Sequence, residues 1–134
     1  MSALCGMLCY NEVRKIGDFM KLTHLINGKV TSIHSDISNV SEKKEKNYDF
    51  FLDNIRNSIY ITDRLIFIRE SDDYIFTLEI SDSSRSTLLL KKENMTFDIN
   101  VVSAIYNDNK DSIDFSYKLE SDDDEHQIIL EIGD

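Results

Sequence analysis

The stretch MTFDINVVSAIYNDNKDSIDFSYKLESDDDEHQIILEI (Met95–Ile132) decides the fold class. Met95, Phe97, Ile99 and Val101 alternate with Thr96, Asp98 and Asn100. A period of two is the signature of a strand with one apolar and one polar face. Asn107 to Asp111 interrupt the pattern with turn-forming residues. Ile113, Phe115, Tyr117 and Leu119 then alternate with polar residues, and Ser121 to Glu125 form a second polar turn before Ile128, Leu130 and Ile132. Three such strands in a row predict an antiparallel meander with one buried face. Phe97, Ile99, Phe115, Tyr117, Leu119 and Leu130 are expected in the core, together with Phe76. Between Val101 and Ile105 the apolar phase changes, which predicts a β-bulge and a bend.

The same pattern extends towards the N-terminus. Asn27-Gly28 supplies the two positive φ angles of a tight hairpin turn, so Leu25 should face Val30 and Leu22 should face Ile33. Tyr48 to Leu52, Ile59 to Ile61, Leu65 to Arg69, Tyr74 to Ile80 and Thr87 to Lys92 read as further strands, and Ser41 to Asn47 reads as a charged loop. Eight to ten short strands with turns between neighbours predict an all-β chain, an up-and-down barrel or a sandwich; sequential hairpins throughout favour an antiparallel meander β-barrel of lipocalin-like form. Closure would also remove exposed sheet edges. The domain expected is 20–134. Residues 1–19 form an add-on, either a short helix over 2–16, with Leu4, Cys5, Leu8 and Cys9 on one face, or an extended arm.

Composition narrows the function classes. The 134-residue chain carries 25 acidic and 15 basic residues, a net charge of −10. Its lysines and arginines are dispersed, which excludes a phosphate-tracking nucleic-acid surface. The apolar run Ala3–Tyr10 is too short to span a bilayer and lacks the basic flank of a signal peptide. A cytoplasmic, soluble protein is expected, with Cys5 and Cys9 as free thiols in a reducing compartment.

The order Leu65-Ile66-Phe67-Ile68-Arg69, Tyr74-Ile75-Phe76, the long strand Met95–Tyr106 and Ile113–Leu119 resembles the YwiB-like, calycin-like β-barrel family of unknown function. The likeness covers the second half of the chain. Arg69 is followed here by Glu70-Ser71-Asp72, without that family's glycine, and the family's proline-containing turn has no counterpart, because the chain has no proline. The resemblance implies a lipocalin-like barrel with no assigned activity.

Few side chains suggest chemistry. No nucleophile-base pair, Gly-rich phosphate loop or metal-ligand spacing stands out. Asp122, Asp123, Asp124 and Glu125 lack the ligand spacing and glycine of a Ca²⁺ loop and read as a solvated hairpin tip. Counting from Asn27-Gly28, His24 lies opposite Thr31 and His34 opposite Lys21, which sends the two histidines to opposite faces and disfavours a shared site. Arg69 continues the inward phase of Leu65 and Phe67 and so needs a partner, Glu79 being the nearest strand carboxylate. Arg69, Glu79 and Tyr117 are therefore the candidate ligand-binding residues. No catalytic residue, metal or cofactor is expected. The leading expectation is a non-catalytic module that binds a protein partner or a second copy of itself. Alternatives are a neutral or cationic small, apolar molecule in the barrel interior, or an enzyme using Arg69 and a carboxylate at the barrel mouth.

Overall fold

The structure is a computed structural model and describes residues 19–41 and 46–133. Among the described residues eleven strands follow one another: β1 (Phe19–Ile26), β2 (Lys29–Ser38), β3 (Asn47–Leu52), β4 (Ile55–Ile61), β5 (Leu65–Glu70), β6 (Tyr74–Ile80), β7 (Arg85–Leu90), β8 (Met95–Ile99), β9 (Val101–Asp108), β10 (Ser112–Leu119) and β11 (Glu125–Ile132). No helix occurs among the described residues, and none long and apolar enough to cross a membrane. The helix or arm expected over the first residues, and the two cysteines, lie outside the described residues.

The strands form two antiparallel sheets. One has the order β9-β10-β11-β1-β2, and the other runs β3-β4-β5-β6-β7-β8. Neither sheet closes on itself. Every neighbour pair but one is consecutive in sequence; the exception joins β11 to β1, the last strand to the first described. At the β2–β3 seam, Val40 N–H donates to Asp49 O at 2.7 Å, and Asn39 Oδ1 accepts from Asp49 N–H at 3.0 Å. At the β8–β9 seam, Glu120 N–H donates to Asn100 O at 2.9 Å. Lys46 crosses from the β2–β3 loop to the end of β9, with Nζ 2.9 Å from Asp108.

The alternation predicted for the last strands is present. Ile113, Phe115, Tyr117 and Leu119 of β10 and Ile128 and Leu130 of β11 are buried. They meet Phe50, Ile59, Leu65, Phe67 and Leu78 of the facing sheet. The Phe67 and Phe115 rings, one from each sheet, lie 5.1 Å apart between centroids.

Two expectations change. Phe97 is 42% exposed. It sits on β8, the edge strand of its sheet, and the stretch read as one long strand breaks at Asn100 and passes to the other sheet. Ile99 and Phe76 are partly buried against the core. The bulge expected after Val101 is there: Val101 pairs Leu119 and Ser103 pairs Lys118, so Val102 is the extra residue. A second bulge lies in the first hairpin. Leu25 pairs Val30 as expected, but His24 pairs Ser32, leaving Thr31 unopposed. Leu22 therefore faces His34 and not Ile33.

Candidate ligand-binding site

Five inward faces turn polar at one end of the core. On β1 the buried Met20 and Leu22 are followed by His24; on β4, Asn57 interrupts Ile55, Ile59 and Ile61. On β5, Arg69 follows Leu65 and Phe67. On β10 and β11, Tyr117 and His126 continue the phase of Phe115 and Ile128. Because side chains alternate along a strand, these groups cannot leave the core face without a register slip. Asn57 and Arg69 are direct cross-strand partners, which sets their side chains together.

Between the sheets at this end lies a cavity of about 150 Å³. Leu22, Leu52, Ile55, Phe67 and Ile128 form its apolar walls. Its polar lining is His24, Ser32, His34, Asn57 and Arg69, with Asp53 from the β3–β4 turn. His34 thus shares a face with His24. The Thr31 bulge restores the phase that a regular hairpin would have broken, which corrects the reading that sends the two histidines to opposite faces.

The Arg69 guanidinium forms no hydrogen bond or ion pair among the described residues; it acts on His24 and Tyr117 only through its charge. The expected pairing with Glu79 does not form. Arg69 lies opposite Phe76, whereas Glu79 lies opposite Ile66 on the outward face. There Glu79 takes Arg64 at 3.0 Å and Arg85 at 3.7 Å. Of the three residues expected to bind ligand, the structure brings Arg69 near Tyr117 and places Glu79 elsewhere. Tyr117 is 6% exposed and its hydroxyl has no hydrogen-bond partner among the described residues. Burial, only partly offset by Arg69, pushes the phenol up to about 12.

Beside Tyr117 a chain of three groups runs to the hairpin tip. His24 Nε2 lies 3.1 Å from His126 Nδ1, and His126 Nε2 lies 2.7 Å from Asp122 Oδ2. The Asp124 backbone N–H, then the His126 ring, hold the Asp122 carboxyl below its ordinary range, so it is an acceptor. In the tautomer that satisfies both contacts, His126 donates from Nε2 to Asp122 and accepts at Nδ1, and His24 donates from Nε2. That leaves His24 Nδ1 unprotonated and without a partner among the described residues. Burial, then the His126 and Arg69 charges, lower the tendency of His24 to take a proton. The rings stack: Tyr117 on His126 at 5.2 Å and His126 on His24 at 5.3 Å.

The acidic tip is itself structured. Asp124 Oδ1 accepts from Asn27 Nδ2 at 2.8 Å, joining the two neighbouring turns. Among the described residues no three His, Cys, Asp or Glu side chains converge as metal ligands. A larger open cleft of about 510 Å³ runs past Arg64, Ser81, Asp82 and Tyr106. Its cation is already engaged, Arg64 being held by Asp63 and Glu79. His24, Asn57 and Arg69, each with a polar atom unpaired among the described residues, converge on the smaller cavity. No protein-family profile, curated protein or solved structure matches this chain.

Proposed function

We propose that this chain is a non-catalytic binding module that takes a small molecule between its two sheets, beside Arg69. The observation that carries this reading is the Arg69 guanidinium. Arg69 is half-buried on the core face of its strand, where lost solvation favours a partner, and none is present among the described residues. Among the described residues Asn57, 4% exposed, makes one side-chain hydrogen bond, to Ile55 O, and its amide oxygen has no partner. A concave site with apolar walls and a few convergent polar groups is the usual form of a small-molecule pocket. A calycin-like meander barrel related to the YwiB-like family is the finer fold reading. It is supported by the nearly consecutive strand order around the molecule. A reducing, cytoplasmic setting remains part of this reading on the strength of Cys5 and Cys9.

The three histidines offer a direct test. His24 and His34 line the cavity and His126 bonds to His24. Ligands of a few non-hydrogen atoms, screened by proton NMR, should move the histidine ring signals, and Arg69→Met should abolish the response. Absence of any response across anionic, neutral and cationic compounds would overturn the proposal.

A second reading, recognition of a protein partner or of a second copy, draws on different residues. Val102 and Ile105 on β9 are 59% and 64% exposed, and Met95 and Phe97 on neighbouring β8 are also exposed. These strands are sheet edges, where apolar side chains beside unpaired backbone groups favour association. Ile105→Lys should then abolish self-association seen by sedimentation. A wild-type chain that stays monomeric at high concentration would count against the self-pairing form of this reading.

A further inference from the structure

The following rests on the cavity reading above and names the ligand class. The geometry points to a small carboxylic acid: its apolar body lies between Leu22, Phe67 and Ile128, its carboxylate takes the Arg69 guanidinium, and the proton bound with it stays on His24.

Size comes first. A cavity of about 150 Å³ is of the size that holds one small apolar molecule such as benzene. That excludes nucleotides and long-chain lipids and leaves room for a short acid. Walls of leucine, isoleucine and phenylalanine give free energy to an apolar body and none to a sugar or an inorganic ion.

Charge comes second. A guanidinium presents a planar fork of donors that matches a carboxylate with two parallel hydrogen bonds. Arg69 carries such a fork into the cavity with no carboxylate on it among the described residues. Asp53 stands in the same lining and the chain as a whole is at −10. Both disfavour a dianion such as phosphate more than a single carboxylate. The net charge argues for a neutral or cationic ligand only at long range, where it governs approach. Inside the cavity the local guanidinium sets the preference.

The proton comes third. His126 from β11 bonds to His24, Arg69 from β5 acts on it through its charge, His34 from β2 and Asp53 from the β3–β4 turn share its cavity, and Asp122 and Tyr117 of the β10–β11 hairpin reach it through the His126 ring. Burial, then the interactions with His126 and Arg69, lower the tendency of His24 to take a proton. A carboxylate docked on Arg69 brings one negative charge, which offsets the guanidinium's positive one. The proton then goes to His24 Nδ1, while Nε2–H stays on His126 and the new charge is felt by Asp122 through the His126 ring. No bond other than N–H forms, and one proton is taken from solvent for each carboxylate bound.

The test is titration calorimetry of the full chain with hexanoate in two buffers of different ionisation enthalpy. Hexanamide and hexylamine serve as neutral and cationic controls. Hexanoate should bind with uptake approaching one proton and the controls at least tenfold more weakly. Affinity should fall by about tenfold per pH unit between the His24 value in the free protein and that in the complex, and level off above the latter. His24→Gln should keep some binding and lose the uptake; Arg69→Met should lose binding while remaining folded by circular dichroism. Arg69-dependent binding without proton uptake overturns the proton claim. Hexanamide binding as well as hexanoate overturns the carboxylate claim. Either result leaves the cavity reading standing. If none of the three probes binds or moves the histidine signals, the inference is overturned and the cavity reading fails with it.

Discussion

His24 and His126 are 102 positions apart in the sequence and share a hydrogen bond of 3.1 Å between stacked rings. Pairing of β11 with β1 makes this contact, setting Ile128 opposite His24 and leaving His126 on the same inward face. The pair bears on stability. His24 is held below its ordinary value of 6.5, so the unfolded chain binds more protons at that position than the folded one. Stability from this group is fully present above pH 6.5 and declines as the pH falls below it. Asp122, depressed from 3.8, adds a second loss as the pH falls below that value towards its folded-state value. Urea unfolding between pH 5 and 8 should show the first slope, and His24→Gln should flatten it. A wild-type profile already flat over that range would show that His24 titrates alike in both states.

Arg69→Met should stabilise the protein. The change removes a charge that no described side chain partners and leaves a flexible apolar group against Phe67 and Ile128. A gain of about 0.5–2 kcal/mol is the range for relieving a binding-site residue of its functional burden. It is measured by urea unfolding at pH 7. A loss of similar size would mean that the guanidinium supports the fold.

The sequence was most informative where a strand's phase is set by its own residues. β10 and β11 alternate without interruption, and their buried faces are the expected ones. Arg69 was legible for the same reason, because it continues the phase of Leu65 and Phe67. Asn57 obeys the same rule within Ile55, Ile59 and Ile61, and that signal could have found it. Pattern reading failed where geometry depends on an irregular position or on a distant strand. The Thr31 bulge moved His34 to the His24 face, and nothing in Val30-Thr31-Ser32 announces it. Phe97 alternates correctly but lies on an edge that periodicity cannot identify. The His24–His126 contact requires knowing that the last strand returns to the first described one.

Asn27→Ala should destabilise the pair of turns that hold Asp122 in place. Asn27 adopts a φ of 52°, which an alanine tolerates poorly. Its side chain also donates to Asp124 at 2.8 Å and accepts from Glu125 N–H at 2.9 Å. Loss of both bonds together with the backbone penalty should amount to about 2 kcal/mol, read as a shift in the urea midpoint. Asn27→Gly, which keeps the backbone but loses the bonds, should fall between wild type and Asn27→Ala. Equal effects of the two substitutions would assign the whole loss to the hydrogen bonds.

Phe115 and Phe97 provide a paired test of which face each strand buries. Both are phenylalanines in alternating strands, yet Phe115 is 0% and Phe97 42% exposed. Phe115 packs on Phe67 across the two sheets, with ring centroids 5.1 Å apart. Its truncation removes contacts from both layers and leaves a void that neither sheet can close without moving the other. Phe115→Ala should therefore cost about 3–5 kcal/mol. Phe97 lies on edge strand β8 opposite Leu88, partly in solvent before any substitution. Phe97→Ala should cost less than about 1 kcal/mol, close to the range for exposed positions. Unfolding both variants by urea at the same pH distinguishes the two environments. Equal losses would place Phe97 in the core and make β8 an inner strand, as its sequence periodicity alone suggests.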